Sequence, residues 1–320
     1  HASSVVSEGG ITLTVDLLRM SDSIDTQAYA ADMIGSIAIE HALQIGASGA
    51  IVPLVHLLEK DNKRAMQKSA RALAGIAAGG KENQDWIKEA GGVELLVGLL
   101  RSVDEEVQSM AAGALAELAR NNSGNQLKIT ECGGIQPLIA LITKSSNDQP
   151  KTDAARTLWS LSDKNFTNQG LIAKADGIKA LISVVGHAGE VAQVQASGAI
   201  ASLALDNSEN LAEAAKLLVK LLDESGATDV SREKAARSIS HFASANAANQ
   251  DALAFAGCGD LLVSLLNPKV YQEREDHHFA WWCKGCRGRC RAHKGGKWEA
   301  PFDTQRTVRS TVEPDTGQFE

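Results

Sequence analysis

Apolar and polar positions repeat one pattern along most of the chain. An apolar hexad recurs as LTVDLL from Leu13, PLVHLL from Pro53, LLVGLL from Leu95, PLIALI from Pro137, ALISVV from Ala180 and LLVKLL from Leu217, and LLVSLL from Leu261 begins a seventh block. The steps between hexads are 40, 42, 42, 43, 37 and 44 residues, a period that belongs to stacked helical units. Just upstream of most hexads lies a pair of small residues, Gly9–Gly10, Gly49–Ala50, Gly91–Gly92 and Gly133–Gly134. Glycine there permits a sharp change of direction and a close helix approach, so the pair predicts a corner.

Upstream of the corner a short amphipathic segment opens at Asn83, Asn125, Asn168 or Asn249, each followed by Gln, and at Asn210, followed by Leu211. Asparagine at that place predicts an N-cap that accepts a bond from a free N–H of the first turn. Downstream of each hexad a polar linker leads to a longer helix with alanine at its packing positions: SARALAGIA from Ser69, AAGALAELA from Ala111, AARTLWSLS from Ala154, ASGAIASLA from Ala196 and AARSISHFA from Ala235. Each unit is therefore expected to hold a short helix, a corner, a second helix, a turn and a long third helix. After Asn207 the text NSENLAEAAKLLVKLL has no glycine. The first two helices of that unit are expected to merge, or the first to be cut short.

Composition supports an all-α fold. Hydrophobic residues make up 44% of the chain but aromatics only 4%, with six prolines, a small aliphatic core suited to helices and poor for an all-β fold. The net charge is −7, and the stretch from Trp281 to Trp298 is rich in Lys and Arg without an acid, so the body is more acidic than the total. Such a body offers no reason to bind nucleic acid. No run of 18 apolar residues occurs. The chain begins at His1, so signals or lipid sites before it are not readable and peripheral membrane anchoring stays open. Cys132 and Cys258 stand alone in helical patterns, as expected of reduced thiols; a cytoplasmic protein is expected, with the nucleus or a membrane surface as alternatives.

The repeats resemble the armadillo family, whose units hold three helices in about 40 to 47 residues. The resemblance covers roughly residues 3 to 266 and implies a right-handed superhelix, an α-solenoid whose third helices line the inner groove. The expected array spans 1–266, with units at about 2–41, 42–82, 83–124, 125–167, 168–209 and 210–248 and a partial seventh at 249–266; an irregular, disordered tail is expected at 267–320. Importin-type relatives carry a Trp and, four residues on, an Asn on each third helix. The matching pairs here are Asp32 and Ser36, Arg71 and Gly75, Gly113 and Glu117, Arg156 and Ser160, Gly198 and Ser202, and Arg237 and His241. None is Trp with Asn, which disfavours the import mechanism.

Arg71, Arg156 and Arg237 suggest a basic stripe for an acidic peptide, against the alternative that they pair with acids on neighbouring third helices. Trp159 stands where the other units have Gly35, Ala74, Ala116, Ala201 and Ser240, and reads as an exposed anchor or as filler between helices. The expected groove set is Arg71, Glu117, Arg156, Trp159, Ser160, Arg237 and His241.

The segment FAWWCKGCRGRCRAHKGGKW breaks the pattern. Cys283, Cys286, Cys290 and His293 carry metal-ligand chemistry in a C-x2-C-x3-C-x2-H spacing, but four ligands so close together are tighter than most structural zinc sites, and an extension unrelated to the array is the preferred reading. No phosphate loop, dinucleotide fingerprint, nucleophile elbow or H-E-x-x-H occurs. No cofactor, catalysis or small-molecule substrate is expected. The expected function is a scaffold or adaptor that binds a segment of another protein; the alternative is the substrate-recognition arm of a U-box type ubiquitin ligase.

Overall fold

The structure is a computed structural model that describes residues 9–223 and 229–265. Among these residues every regular element is a helix, seventeen in all. The Cys283, Cys286, Cys290 and His293 set and the expected tail lie outside the described residues.

Three consecutive units show the full pattern. Lys81–Glu89, Gly92–Leu99 and Glu105–Ala119 form the third unit, Ser123–Glu131, Ile135–Lys144 and Asp148–Ser162 the fourth, and Phe166–Lys174, Gly177–His187 and Glu190–Ala204 the fifth. Before them come Gly10–Met20 and the long helix Ile24–Ala47, which is broken at His41 (φ −127°, ψ 26°), so the third helix of the first unit runs into the first helix of the second. Ile51–Leu58 and Lys63–Ala77 complete that second unit. In the sixth unit Ser208–Asp223 is a single 16-residue helix, so the glycine-free stretch merges its first two helices; Asp229–Ala245, Ala247–Phe255 and Cys258–Leu265 follow.

Successive third helices pack against one another from the first unit to the sixth. Small residues permit the approach: a Cβ on Gly75 would lie 2.9 Å from Ala38 Cβ. Stacking is what buries the apolar rows. Leu57, Leu141, Val184 and Leu221 are 2%, 4%, 1% and 7% exposed, whereas their equivalent Leu17, in the first described unit, is 42% exposed.

The corner uses its two residues for different reasons. Gly9, Gly49, Gly91, Gly133 and Gly257 have φ between 75° and 85°, and Asp176 takes the same left-handed place at φ 61°. In the third, fourth and fifth units the residue after it is a glycine for reasons of space rather than conformation, whereas Ala50 and Cys258 fill the same place in the second and seventh. A Cβ on Gly134 would meet Ile129 Cγ2 at 2.8 Å and Ile129 O at 3.0 Å, and Gly92 and Gly177 are equally crowded by Ile87 and Ile172.

The expected N-cap role of Asn83, Asn125, Asn168, Asn210 and Asn249 is corrected. The caps lie three residues earlier: Asn122, Asn165, Asn207 and Asn246 accept from the N–H of Asn125, Asn168, Asn210 and Asn249 at 2.8–3.1 Å, and Gly80 holds that place before Asn83. The motif asparagines are buried. Their amides donate to the carbonyl seven residues back, at the end of the preceding third helix: Ile76 O at 2.8 Å, Leu118 O at 2.9 Å, Leu161 O at 3.0 Å, Leu203 O at 2.9 Å and Phe242 O at 2.8 Å. These are orphan carbonyls of a helix C-terminus, so the side chain closes a helix end.

The adjoining glutamine reaches across its own unit to the end of that unit's third helix. Gln84 Nε2 donates to Glu117 O at 2.8 Å, Gln126 Nε2 to Ser160 O at 2.8 Å and Gln169 Nε2 to Ser202 O at 3.1 Å. The cap of the next unit answers, with Asn122 Nδ2 on Gln84 Oε1 at 3.1 Å and Asn165 Nδ2 on Gln126 Oε1 at 2.9 Å. Adjacent units are thus linked by side-chain bonds, the motif asparagine to the preceding unit's helix end and the next unit's cap asparagine to the glutamine.

The corner geometry makes an ordering testable. Gly133→Ala costs the left-handed strain of about 1 kcal/mol, whereas Gly134→Ala, forced against a backbone oxygen and a methyl, costs about 2–3 kcal/mol. Urea unfolding of the two variants side by side checks it; a larger loss for Gly133→Ala contradicts this division of roles.

Candidate functional site: the layer of third helices

The third helices carry the expected groove residues, and the arginines among them are already paired. Arg71 Nη1 lies 3.4 Å from Asp32 Oδ1, and Lys68 Nζ holds the same oxygen at 2.9 Å. Arg237 Nη1 lies 2.8 Å from Glu190 Oε1 and its Nη2 3.4 Å from Glu233. In each case an acid on the preceding third helix supplies a partner, so the alternative reading of the arginine stripe is the one found. The reason is the register of stacked units: residues 39 to 47 apart in sequence face each other across the layer.

Between the third and fourth units the pairing becomes a partly buried network. Glu117 is 7% exposed and lies under two guanidinium groups, Arg156 Nη1 at 2.9 Å and Arg120 Nη2 at 2.5 Å. Arg156 Nη2 also meets Asp153 Oδ1 at 3.2 Å. The other oxygen of that buried Asp153 accepts from Ser109 Oγ at 2.7 Å and Gln149 Nε2 at 3.0 Å. Gly113 makes room: a Cβ there would meet Arg156 Nη2 at 3.2 Å. A buried carboxylate is tolerable only with such partners. Asp153 and Arg120 escaped the sequence reading; Asp153 sits one turn before Arg156 on the same face, the signal that could have found it.

Trp159 fills space between helices and is also partly exposed. Its six-membered ring lies against Gly198 of the next third helix, where a Cβ would come within 2.6–2.7 Å of three ring atoms. Yet 38% of the residue stays exposed. Ser160 is half-buried and its carbonyl is held by Gln126; His241 is exposed, and its carbonyl accepts from Ser244 Oγ at 2.8 Å. The structure therefore brings Glu117, Arg156, Arg120 and Asp153 into one cluster, with Trp159 and Ser160 on the same helix as Arg156. Arg71 and Arg237 with His241 sit on other third helices, in the second and sixth units.

Neither described cysteine is activated. Burial pushes the Cys258 thiol up to about 11 and raises that of Cys132, away from the thiolate a nucleophile needs. Among the described residues no group of three or more His, Cys, Asp or Glu is placed to hold a metal. No single described helix is long and apolar enough to cross a membrane.

Comparison with known proteins agrees with this architecture. The Armadillo/beta-catenin-like repeat is matched at residues 80–120 and 122–163. An engineered protein of known crystal structure is 30% identical, with 74% of this chain and 98% of that one covered and a TM-score of 0.63. A designed armadillo repeat protein, YIII(Dq)4CqI, is 25% identical over 76% of this chain and 99% of that one, at a TM-score of 0.63. Another, YIII(Dq.V1)4CPAF, solved in complex with the peptide (KR)4, is 26% identical over 72% of this chain and 99% of that one, at 0.62. No curated protein matches the chain. The chain belongs to the armadillo-repeat family, and its described fold is an armadillo solenoid.

The two kinds of ion pair differ in what they contribute. Glu117→Ala removes the carboxylate that Arg156 and Arg120 share and opens a buried gap, and costs about 2 kcal/mol, less than a fully buried pair because Arg156 is 33% exposed and keeps Asp153. Arg71→Ala breaks an exposed pair worth about 0.5 kcal/mol or less. Chemical unfolding of both variants reads the difference; equal losses contradict the network.

Proposed function

We propose that the chain is a non-catalytic scaffold or adaptor whose layer of third helices binds a segment of a partner protein. The observation that carries the reading is Trp159, an indole left 38% exposed in a row that otherwise holds glycine, alanine and serine. An array that needed only to stack would have a small residue there, and interface anchors are enriched in Trp and Arg. The peptide complex of the designed relative supports a peptide as the kind of ligand.

The exposed Arg71 and Arg237 flank this anchor as positioning contacts rather than as a free positive field, since each carries acidic partners. A protein or peptide partner is proposed in preference to a small molecule or nucleic acid, and the cytoplasm as the compartment. No feature among the described residues favours the ubiquitin-ligase alternative.

Affinity capture with the unaltered chain beside the triple variant Arg71→Ala, Trp159→Ala, Arg237→Ala tests the reading. Loss of at least one specific partner by about tenfold is expected, the scale set by the roughly 1.4 kcal/mol of a modest anchor. Retention of every specific partner contradicts it.

A further inference from the structure

The third helix of the fifth unit differs from its neighbours on its exposed face. Val191, Val194 and Gly198 fall at intervals of three and four residues, and so share one side of the helix. Val191 is 66% exposed and Val194 45%. At the same two rows the second unit has Arg64 and Gln67, the third Glu106 and Ser109, and the fourth Gln149 and Thr152. Val230 continues the apolar row into the sixth unit, and it too is exposed. Beside this stripe the Trp159 ring covers Gly198, and any larger residue at 198 would lift the ring away.

Stacking does not call for these valines. Ser109 and Thr152, the equivalents of Val194, are buried and hydrogen-bonded within the stack, whereas Val194 stands out. Valine is also a weak helix former, so its exposure on a helix contributes nothing to the fold. The charges that border the stripe are compensated: Arg156 by Glu117 and Asp153, Arg237 by Glu190 and Glu233. Lys234 donates to Ala188 O and Asp148 accepts from Gly189 N, both at 2.8 Å. A charged side chain laid on the stripe would lose water against valine methyls that offer it no polar partner; an apolar one would lose nothing and cover the valines and the indole.

We propose that Trp159, Val191 and Val194 form an apolar subsite that takes an uncharged aliphatic or aromatic side chain of an extended partner peptide. This rests on the scaffold reading above and adds to it the chemistry of the ligand. Recognition by this stretch is apolar and charge-neutral, with Gly198 fixing the ring that forms one wall.

A random dodecapeptide library displayed on phage, selected on the full chain, supplies the probe. Selected peptides are then made with a fluorophore and titrated by anisotropy against the unaltered chain, Val194→Glu, Trp159→Ala and, as an exposed valine elsewhere, Val103→Glu, each first shown to melt as the unaltered chain does. The expected result is peptides with Leu, Ile, Val, Met, Phe or Trp at a recurring position and little net charge, bound at least about tenfold more weakly by Val194→Glu and Trp159→Ala and unchanged by Val103→Glu. Selection of strongly acidic or basic peptides that depend on Trp159 but not on Val194 overturns the apolar subsite and leaves the scaffold reading standing. If no selected peptide depends on either residue, both readings fall.

Discussion

The hydrogen bonds made by the Asn–Gln motif are the constraint on which the rest of the array depends. A three-helix unit ends in a long helix whose last carbonyls have no partner within it. The asparagine of the following unit takes one of them seven residues back, as Asn125 does with Leu118 O. Asn83 Nδ2 also reaches Ala42 O at 3.0 Å and Asn125 Nδ2 reaches Gln84 O at 3.4 Å, about one unit away in sequence. The glutamine then secures the end of the next third helix, and the next cap asparagine secures the glutamine. Buried amides with this many obligations fix direction as well as distance, because a donor left without its acceptor in the core is costly. Apolar stacking supplies the bulk of the stabilisation; the amide ladder sets how one unit sits on the next.

That regularity is what gives the third helices a shared register and makes their surface chemistry meaningful. Asp32 meets Arg71, Glu117 meets Arg156 and Glu190 meets Arg237 because each arginine faces the preceding helix across the layer. The result is a layer whose stripe arginines already carry acidic partners. Against that balanced background the exposed indole of Trp159 and the valines beside it stand out, which is why the functional proposals centre there and not on the arginines themselves.

The periodic part of this structure could be read from the chain because it is local. Hexads, alanine-lined helices and left-handed glycines follow from spacing and residue type alone, and the merged helix Ser208–Asp223 is one of the two outcomes that the missing glycine allowed. What spacing hides is which of two asparagines three residues apart caps the helix. Asn122 and Asn125 are both suited to a cap, and only burial, a property of the stacked array, separates them. The glutamines held a clue: Gln84, Gln126, Gln169 and Gln250 recur after the motif asparagine, and capping gives no reason for them. Asp153 and Arg120 were missed for a similar cause, since their partners lie on another unit or a turn away. The ion pairing of Arg71, Arg156 and Arg237 was one of two readings the sequence allowed, and stacking register decides between them.

The most direct test of the ladder is a double-mutant cycle on Gln126→Ala and Asn165→Ala, two residues in neighbouring units joined by a 2.9 Å bond from Asn165 Nδ2 to Gln126 Oε1. If the ladder couples units, the free energies of unfolding of the single and double variants are non-additive by about 1 kcal/mol or more. Additivity within about 0.3 kcal/mol would mean that the bond is incidental to how the units are joined, and would contradict the account.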